Sequence, residues 1–334
     1  MPDSGAAATT SGASTTRADG PEVRFGWMDL LRALAVLLVI VFHSGTLLRY
    51  ADVPVPDAVG SLNSAVAPFR IPLLVLLSGA LLPRSVAKGA SPYLRGKWRA
   101  IAWPFLVWTA VYAVLTWPGG LGPVTWYVPD LLRGGSYLWY LFFLLVFYLV
   151  ALPLRRVPRL PAAAVFLVLS EVAPDDTKYL ERPLYLMALF LLGWWVAEDP
   201  RRLAAVLRSR RLLVVAALVL VPAVLWAPDA GYGPRATVAT LAGAALAAAL
   251  AARFADAAAL RPLRFVGRNS VVFYVAHFPV LYVVMHVVPR FGDFPTPVLV
   301  AAAFAAAVAA ATVLALLRSR WTVVEWLFTA PRRS

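Results

Sequence analysis

Arg32 and His43 are the residues whose chemistry conflicts most with their setting. Both lie in Leu30-Leu31-Arg32-Ala33-Leu34-Ala35-Val36-Leu37-Leu38-Val39-Ile40-Val41-Phe42-His43, a run apolar enough to cross a bilayer. A guanidinium and an ionisable imidazole are unfavourable in hydrocarbon, so each asks for a reason. At ~100° and ~1.5 Å per residue, their spacing puts them within about 20° of one helix face and roughly 16 Å apart along it. Asp29, three residues before Arg32, falls on nearly the same face and can pair with it. The chemistry available to such a stripe is proton abstraction or nucleophilic attack by an imidazole that titrates near neutrality. A guanidinium can orient a donor or stabilise negative charge beside it. A second physical reading stays open, in which Arg32 snorkels from the cytoplasmic end and His43 sits at the opposite interface.

The rest of the chain has to position that stripe. Hydrophobic residues make up 61% of the 334, charged residues 14%, and the mean hydropathy is +0.75. A soluble fold of this size could not hide so much apolar surface, so the fold class expected is all-α and polytopic in a membrane. Ten apolar segments can be read, over 25–48, 65–82, 100–117, 137–153, 160–172, 183–197, 212–227, 236–252, 269–288 and 297–317. Several are shorter than the ~20 residues a perpendicular crossing needs, the fifth most of all. Pro72, Pro104 and Pro222 should kink their segments or mark first turns. With ten crossings, only Arg49, Arg70, Arg133, Lys178, Arg182, Arg235 and Arg290 fall outside; the other 24 Lys and Arg of 31 fall on the side of both termini, making it cytoplasmic.

Residues 1–22, rich in Ser, Thr, Ala and Gly, are expected to be a disordered tail, 23–317 the membrane domain, and 318–334 a basic, aromatic cytoplasmic tail lying along the inner interface. The first apolar run is too long for a cleaved signal peptide and carries Arg32 inside it. The net charge of +14 sits in short loops between apolar runs. This favours anionic lipid headgroups and a phosphorylated small molecule as partners over nucleic acid. The chain has no cysteine, which excludes disulfides, thiolate catalysis and Cys-based metal sites; with three histidines, a conventional zinc site is not expected.

An Arg, ten residues, then a His in the first membrane helix, preceded by Trp27-Met28-Asp29, resembles the opening motif of the acyltransferase-3 family. Members are integral-membrane enzymes that move acyl groups from acyl-coenzyme A to sugar, lipid-linked or natural-product hydroxyls. Pro72-Leu73, followed by Ser78-Gly79, resembles that family's second motif; read physically, Ser78-Gly79 is a small pair that permits close helix packing. Arg70, at a depth similar to His43, is either a snorkelling residue or a counter-charge for the acceptor or a developing oxyanion. The stretch from Tyr93 to Pro104 matches the basic segment before the family's third helix. Many relatives have two Arg three apart there, whereas Arg95 and Arg99 here are four apart with Lys97 between them. The resemblance implies that Arg95, Lys97 and Arg99 clamp coenzyme A phosphates; an ordinary positive-inside loop is the alternative. Leu138-Trp139-Tyr140-Leu141 is a weaker match, and Gly267 to His277, with Tyr274, is similar to the late motif. His277 could line the cavity, tune a partner, or be a hydrogen-bonded structural residue. His286 is read as structural.

The expected function is therefore a plasma-membrane O-acyltransferase, with acyl-CoA, acetyl-CoA first, as donor and no metal. The acceptor is a hydroxyl of a sugar, cell-envelope glycan or natural product. His43, Arg32 and Asp29 are the catalytic candidates, Arg95, Lys97 and Arg99 the donor contacts, and Arg70, Tyr274 and His277 the substrate contacts. A multi-pass transporter or flippase for a lipid-linked or sugar substrate is the rival. It too would need many helices and buried polar groups, but no reactive His on the stripe of an Arg.

Overall fold

The computed structural model describes residues 25–50, 55–116, 136–173, 180–226, 231–287 and 295–331. The tail read over 1–22 and most of the loop running on from Pro118 lie outside them. Among the described residues there is no strand, and every one of the ten apolar segments coincides with a helix. In hydrocarbon a helix satisfies its own backbone polar groups, so apolar runs of this length have no better option.

Six helical stretches are long and apolar enough to cross a bilayer: Gly26–Leu47, Asp57–Ala80, Ala90–Thr116, Pro234–Arg253, Ser270–Val287 and Thr296–Arg318. A seventh results if Pro200–Arg208 and Arg210–Trp226, bent by 63° at their junction, form one broken span. The remaining apolar helices are Trp139–Leu154, Arg159–Glu171 and Glu181–Glu198, of 16, 13 and 18 residues. At ~1.5 Å per residue the first two fall short of a ~30 Å core, and the third carries charges at both ends.

The helix Gly26–Tyr50, here α1, is the hub. It packs against Ile71–Ala80 (α2), Thr237–Arg253 (α3), Arg261–Arg268 (α4), Ser270–Val287 (α5) and Thr296–Arg318 (α6). Ala33, Ala35, Val36 and Ile40 of α1 are fully buried. On α6 the four-residue repeat Ala303, Ala307, Ala311 and Ala315 faces inward, a small-residue stripe that lets helix backbones approach. The physical reading of Ser78-Gly79 holds. A Cβ on Gly79 would lie 1.9 Å from Phe190 O, and one on Gly193 2.1 Å from Leu76 O, so α2 and Glu181–Glu198 touch backbone to backbone.

Pro72 falls in the first turn of α2, and Pro222 lies inside Arg210–Trp226. A π-turn, Trp98–Ala102, runs just ahead of Pro104, whose missing N–H leaves the carbonyl four residues back without its α-helical donor. The C-terminal segment docks on this region. Trp103 Nε1 donates to Trp326 O at 2.6 Å, Trp108 Nε1 to Leu327 O at 3.0 Å and Arg99 Nε to Ala330 O at 3.0 Å.

Candidate active site

His43 in the second half of α1 meets His277 in α5: His43 Nδ1 and His277 Nε2 are 3.1 Å apart. His277 is fully buried and His43 half-buried. The second ring nitrogen of His277, Nδ1, lies 2.5 Å from Tyr274 O. A carbonyl can only accept, so Nδ1 of His277 carries the proton and its Nε2 presents a lone pair. That lone pair accepts from His43 Nδ1–H, which also faces Val39 O at 3.1 Å. The chain of acceptors leaves the proton-free nitrogen of His43 at Nε2. Two imidazoles from helices distant in sequence thus assign one another's tautomers.

Aromatic side chains hold the pair. Phe278 stacks on Tyr137 with centroids 4.8 Å apart and stands edge-on to His43 at 5.5 Å. Pro279 lies inside α5 and cannot donate to Val275 O, the carbonyl four residues back; the Tyr137 hydroxyl donates there instead, at 2.9 Å. Tyr274 returns the tie, its hydroxyl donating to Tyr137 O at 2.8 Å. The hydroxyl of Tyr274 is therefore engaged with the backbone, while its residue still lines a cavity.

That cavity belongs to the Arg32 side. Two cavities there, of about 310 and 430 Å³, share Arg32, Leu81, Ser85, Lys88, Lys97 and Arg268. Arg84 adds a further cation to the smaller one, and among the described residues Asp29 is the one carboxylate lining either. Arg32 Nη1 lies 3.7 Å from Asp29 Oδ1, as the spacing on α1 implied. Lys97 reaches in with its ammonium 3.7 Å from the Tyr148 ring centroid. The larger cavity runs inward past Ser78 and Tyr140 to Val36 and Tyr274. Val36 is about 10 Å along α1 from His43.

A third cavity, about 260 Å³, opens on the Arg70 side and is lined by Phe42, Gly45 and Thr46 of α1 together with Asn63, Ser64 and Arg70. The Arg70 guanidinium lies 4.2 Å from the Phe42 ring centroid, which puts it at the level of His43. His43 lines none of these three cavities; along α1 it falls among Phe42, Gly45 and Thr46, which line the Arg70 side, and beyond Val36, where the lining of the Arg32 side stops.

The three basic residues read as a donor clamp do not converge. Lys97 lines both Arg32-side cavities, Arg95 is exposed and lines neither, and Arg99 is turned to the C-terminal segment through Ala330 O. Residues two apart on a helix face opposite ways, and the π-turn after Lys97 shifts Arg99 off the face that four-residue spacing implies. Lys88 and Arg268 occupy the cavity instead. Arg268 belongs to the late motif and Lys88 to the same basic loop as Arg95, so both were visible as cations. Their convergence was not, because it depends on packing Gly267 against α1: a Cβ there would sit 1.7 Å from Asp29 O. His286 is exposed, with Nδ1 2.8 Å from Tyr282 O, away from the pair.

No curated protein and no solved structure matches the chain at a significant level. The family model described as an acyltransferase domain matches residues 25–316, a stretch holding α1, both histidines and all three cavities. With that match across most of its length, this multi-pass helical chain belongs to the acyltransferase-3 family of membrane acyltransferases.

Proposed function

We propose that this protein moves an acyl group, acetyl first among them, from cytoplasmic acyl-coenzyme A to a hydroxyl of a sugar, cell-envelope glycan or natural product reached from the outer side. In this reading it sits in the plasma membrane with about ten crossings and both termini inside. The Lys and Arg asymmetry supports that orientation and makes the Arg32 side the cytoplasmic one.

The observation that carries the proposal is the His43–His277 pair, with His43 at the level of the smaller Arg70 cavity and the lining of the cation-rich cavity stopping about 10 Å away along α1, at Val36. A polyanionic donor suits the side with Arg32, Lys88, Lys97 and Arg268, where charge-assisted hydrogen bonds to phosphate are available. The donor's thioester arm runs inward past Ser78 toward Tyr274. His43 Nε2 takes the proton of the acceptor hydroxyl as its oxygen attacks the thioester carbonyl; the C–S bond then breaks and the thiolate leaves with that proton. His277 holds the ring of His43 in the required tautomer and spreads the positive charge that develops on it. Arg32, steadied by Asp29, orients the donor.

A transporter or flippase is the competing reading. Both are tested by incubating native membranes bearing the protein, which supply the acceptor, with acyl-labelled acyl-coenzyme A. Transfer of label into envelope or small-molecule product, lost in His43→Ala, is the expected result. Accumulation of unmodified substrate across the membrane with no label transferred would replace the enzyme reading with the carrier.

A further inference from the structure

The cavity on the Arg70 side holds an unusual pair of polar groups. Arg70 is 3% exposed, yet its Nε and Nη1 have no hydrogen-bond partner, and no carboxylate among the described residues forms an ion pair with it. Its plane instead faces the rings of Phe42, at 4.2 Å, and Tyr232, at 5.8 Å. Aromatic faces favour a cation, and Tyr232 also offers the guanidinium a side-chain hydrogen bond. Nε and Nη1 nevertheless remain unused, and buried N–H groups of a cation without acceptors are unfavourable. Asn63 lines the same cavity, is 7% exposed, and has an Oδ1 without a donor. The vacant groups are thus cationic N–H donors and a neutral acceptor in one enclosure. Arg70 also precedes the ten-residue helix α2, whose positive dipole end adds to the attraction for an anion.

We infer that this cavity is a subsite for an acidic acceptor: Arg70 takes the oxygens of a carboxylate or phosphate on the acceptor molecule, and Asn63 accepts from one of its hydroxyls. The inference deepens the proposed function and rests on its reading that the acceptor enters from this side. The space, about 260 Å³, is below the roughly 300–1,000 Å³ usual for a drug-sized ligand, so it suits one acidic sugar unit or a similar fragment. Phe42 carries the argument to the reacting centre, because its ring touches the guanidinium and it is the chain neighbour of His43. An anion fixed at Arg70 would set which hydroxyl of the acceptor is turned toward His43. A lipid headgroup phosphate offers the same chemistry, and the experiment separates the two.

The full-length protein is placed in nanodiscs of phosphatidylcholine and binding of glucuronate, glucose 1-phosphate and neutral methyl glucoside is measured by calorimetry. The two anionic sugars should bind at least tenfold more tightly than the neutral one. Arg70→Gln should erase that preference, Arg70→Lys should keep part of it, and acyl-coenzyme A affinity should be the same in all three proteins. Equal binding of charged and neutral sugars by the wild type, no saturable binding of either acidic sugar, or a preference that survives Arg70→Gln would each overturn the subsite. The wild-type comparison stands without any variant, so misfolding of Arg70→Gln does not leave the question open. If the acidic sugars bind in phosphatidylcholine but are displaced in discs containing phosphatidylglycerol, the cavity belongs to a lipid headgroup and the acceptor assignment fails. Label transfer from acyl-coenzyme A, measured separately, reports on the enzyme reading itself; transfer without anion preference retires the subsite alone.

Discussion

The two ends of the site differ in how they handle charge. On the Arg32 side, cations crowd around a shared opening with Asp29 beside Arg32, and the space is large. On the Arg70 side, one guanidinium lies almost out of reach of water, backed by aromatic rings, in the smaller of the spaces. A crowd of semi-exposed cations attracts any polyanion and tolerates the loss of one member. A single buried cation discriminates, because every wrong occupant leaves it unpaired. The contrast suits a site that takes a common, highly charged donor from one side and selects its acceptor on the other. His43 and His277, on α1 and α5, stand at the level of the Arg70 side without lining any of the three cavities.

The strongest way to break this picture is at the histidine pair. Removing the base should lower turnover by roughly 10²–10⁴-fold, the usual contribution of a general base. Single-turnover transfer by His43→Ala should fall by that much while acyl-coenzyme A still binds as in the wild type. A well-folded His43→Ala protein with near wild-type transfer would remove the proposed chemistry without touching the fold.

The donor end is tested next. Neutralising Lys88, Lys97 and Arg268 together should weaken acyl-coenzyme A binding about a hundredfold or more, since each charge-assisted contact contributes roughly 1.5–3 kcal/mol. Binding of a small sugar at the Arg70 side should not change. An unaltered donor constant would reduce these cations to topology signals and dissolve the contrast between the two ends.

A smaller effect is expected at His277. Its Nε2 accepts one hydrogen bond from His43 and makes no proposed contact with the transferred group, so His277→Ala should slow turnover by about tenfold, or ~1.4 kcal/mol. Donor affinity should be unmoved. His277→Gln, whose side-chain oxygen can accept from His43 Nδ1–H, should recover part of the rate. A merely structural role predicts instead that both variants lose thermal stability with no difference between them in turnover. The least effect of all belongs to Arg95→Gln. This side chain is exposed and lines no cavity, so donor affinity should stay within about twofold, as for ordinary surface substitutions. A large loss there would return the donor contacts to the original basic triplet.

The fold was legible where one-dimensional pattern suffices. Each of the ten apolar runs is helical among the described residues, and Pro72 fell in a first turn, because hydrocarbon length and a missing N–H act within a single segment. Whether short helices such as Arg159–Glu171 cross is a different matter, because crossing depends on tilt and neighbours. The same division runs through the site. Arg32 and Asp29 were readable as a pair because three residues on a helix set their distance. The basic triplet does not converge for the opposite reason: a π-turn after Lys97 changes the face on which Arg99 emerges.

Sequence therefore carried the membrane setting, the helical class, the family and the polar stripe of α1, all of which follow from local periodicity or motif. Packing alone determined that His277 would meet His43 across a separation of 234 residues, and that Lys88, Lys97 and Arg268 would share one cavity. It also left Arg70 buried with its Nε and Nη1 unused. Each depends on where separate helices come to rest, and that is set by close approaches such as Gly79 to Phe190 and Gly267 to Asp29, which no single segment records.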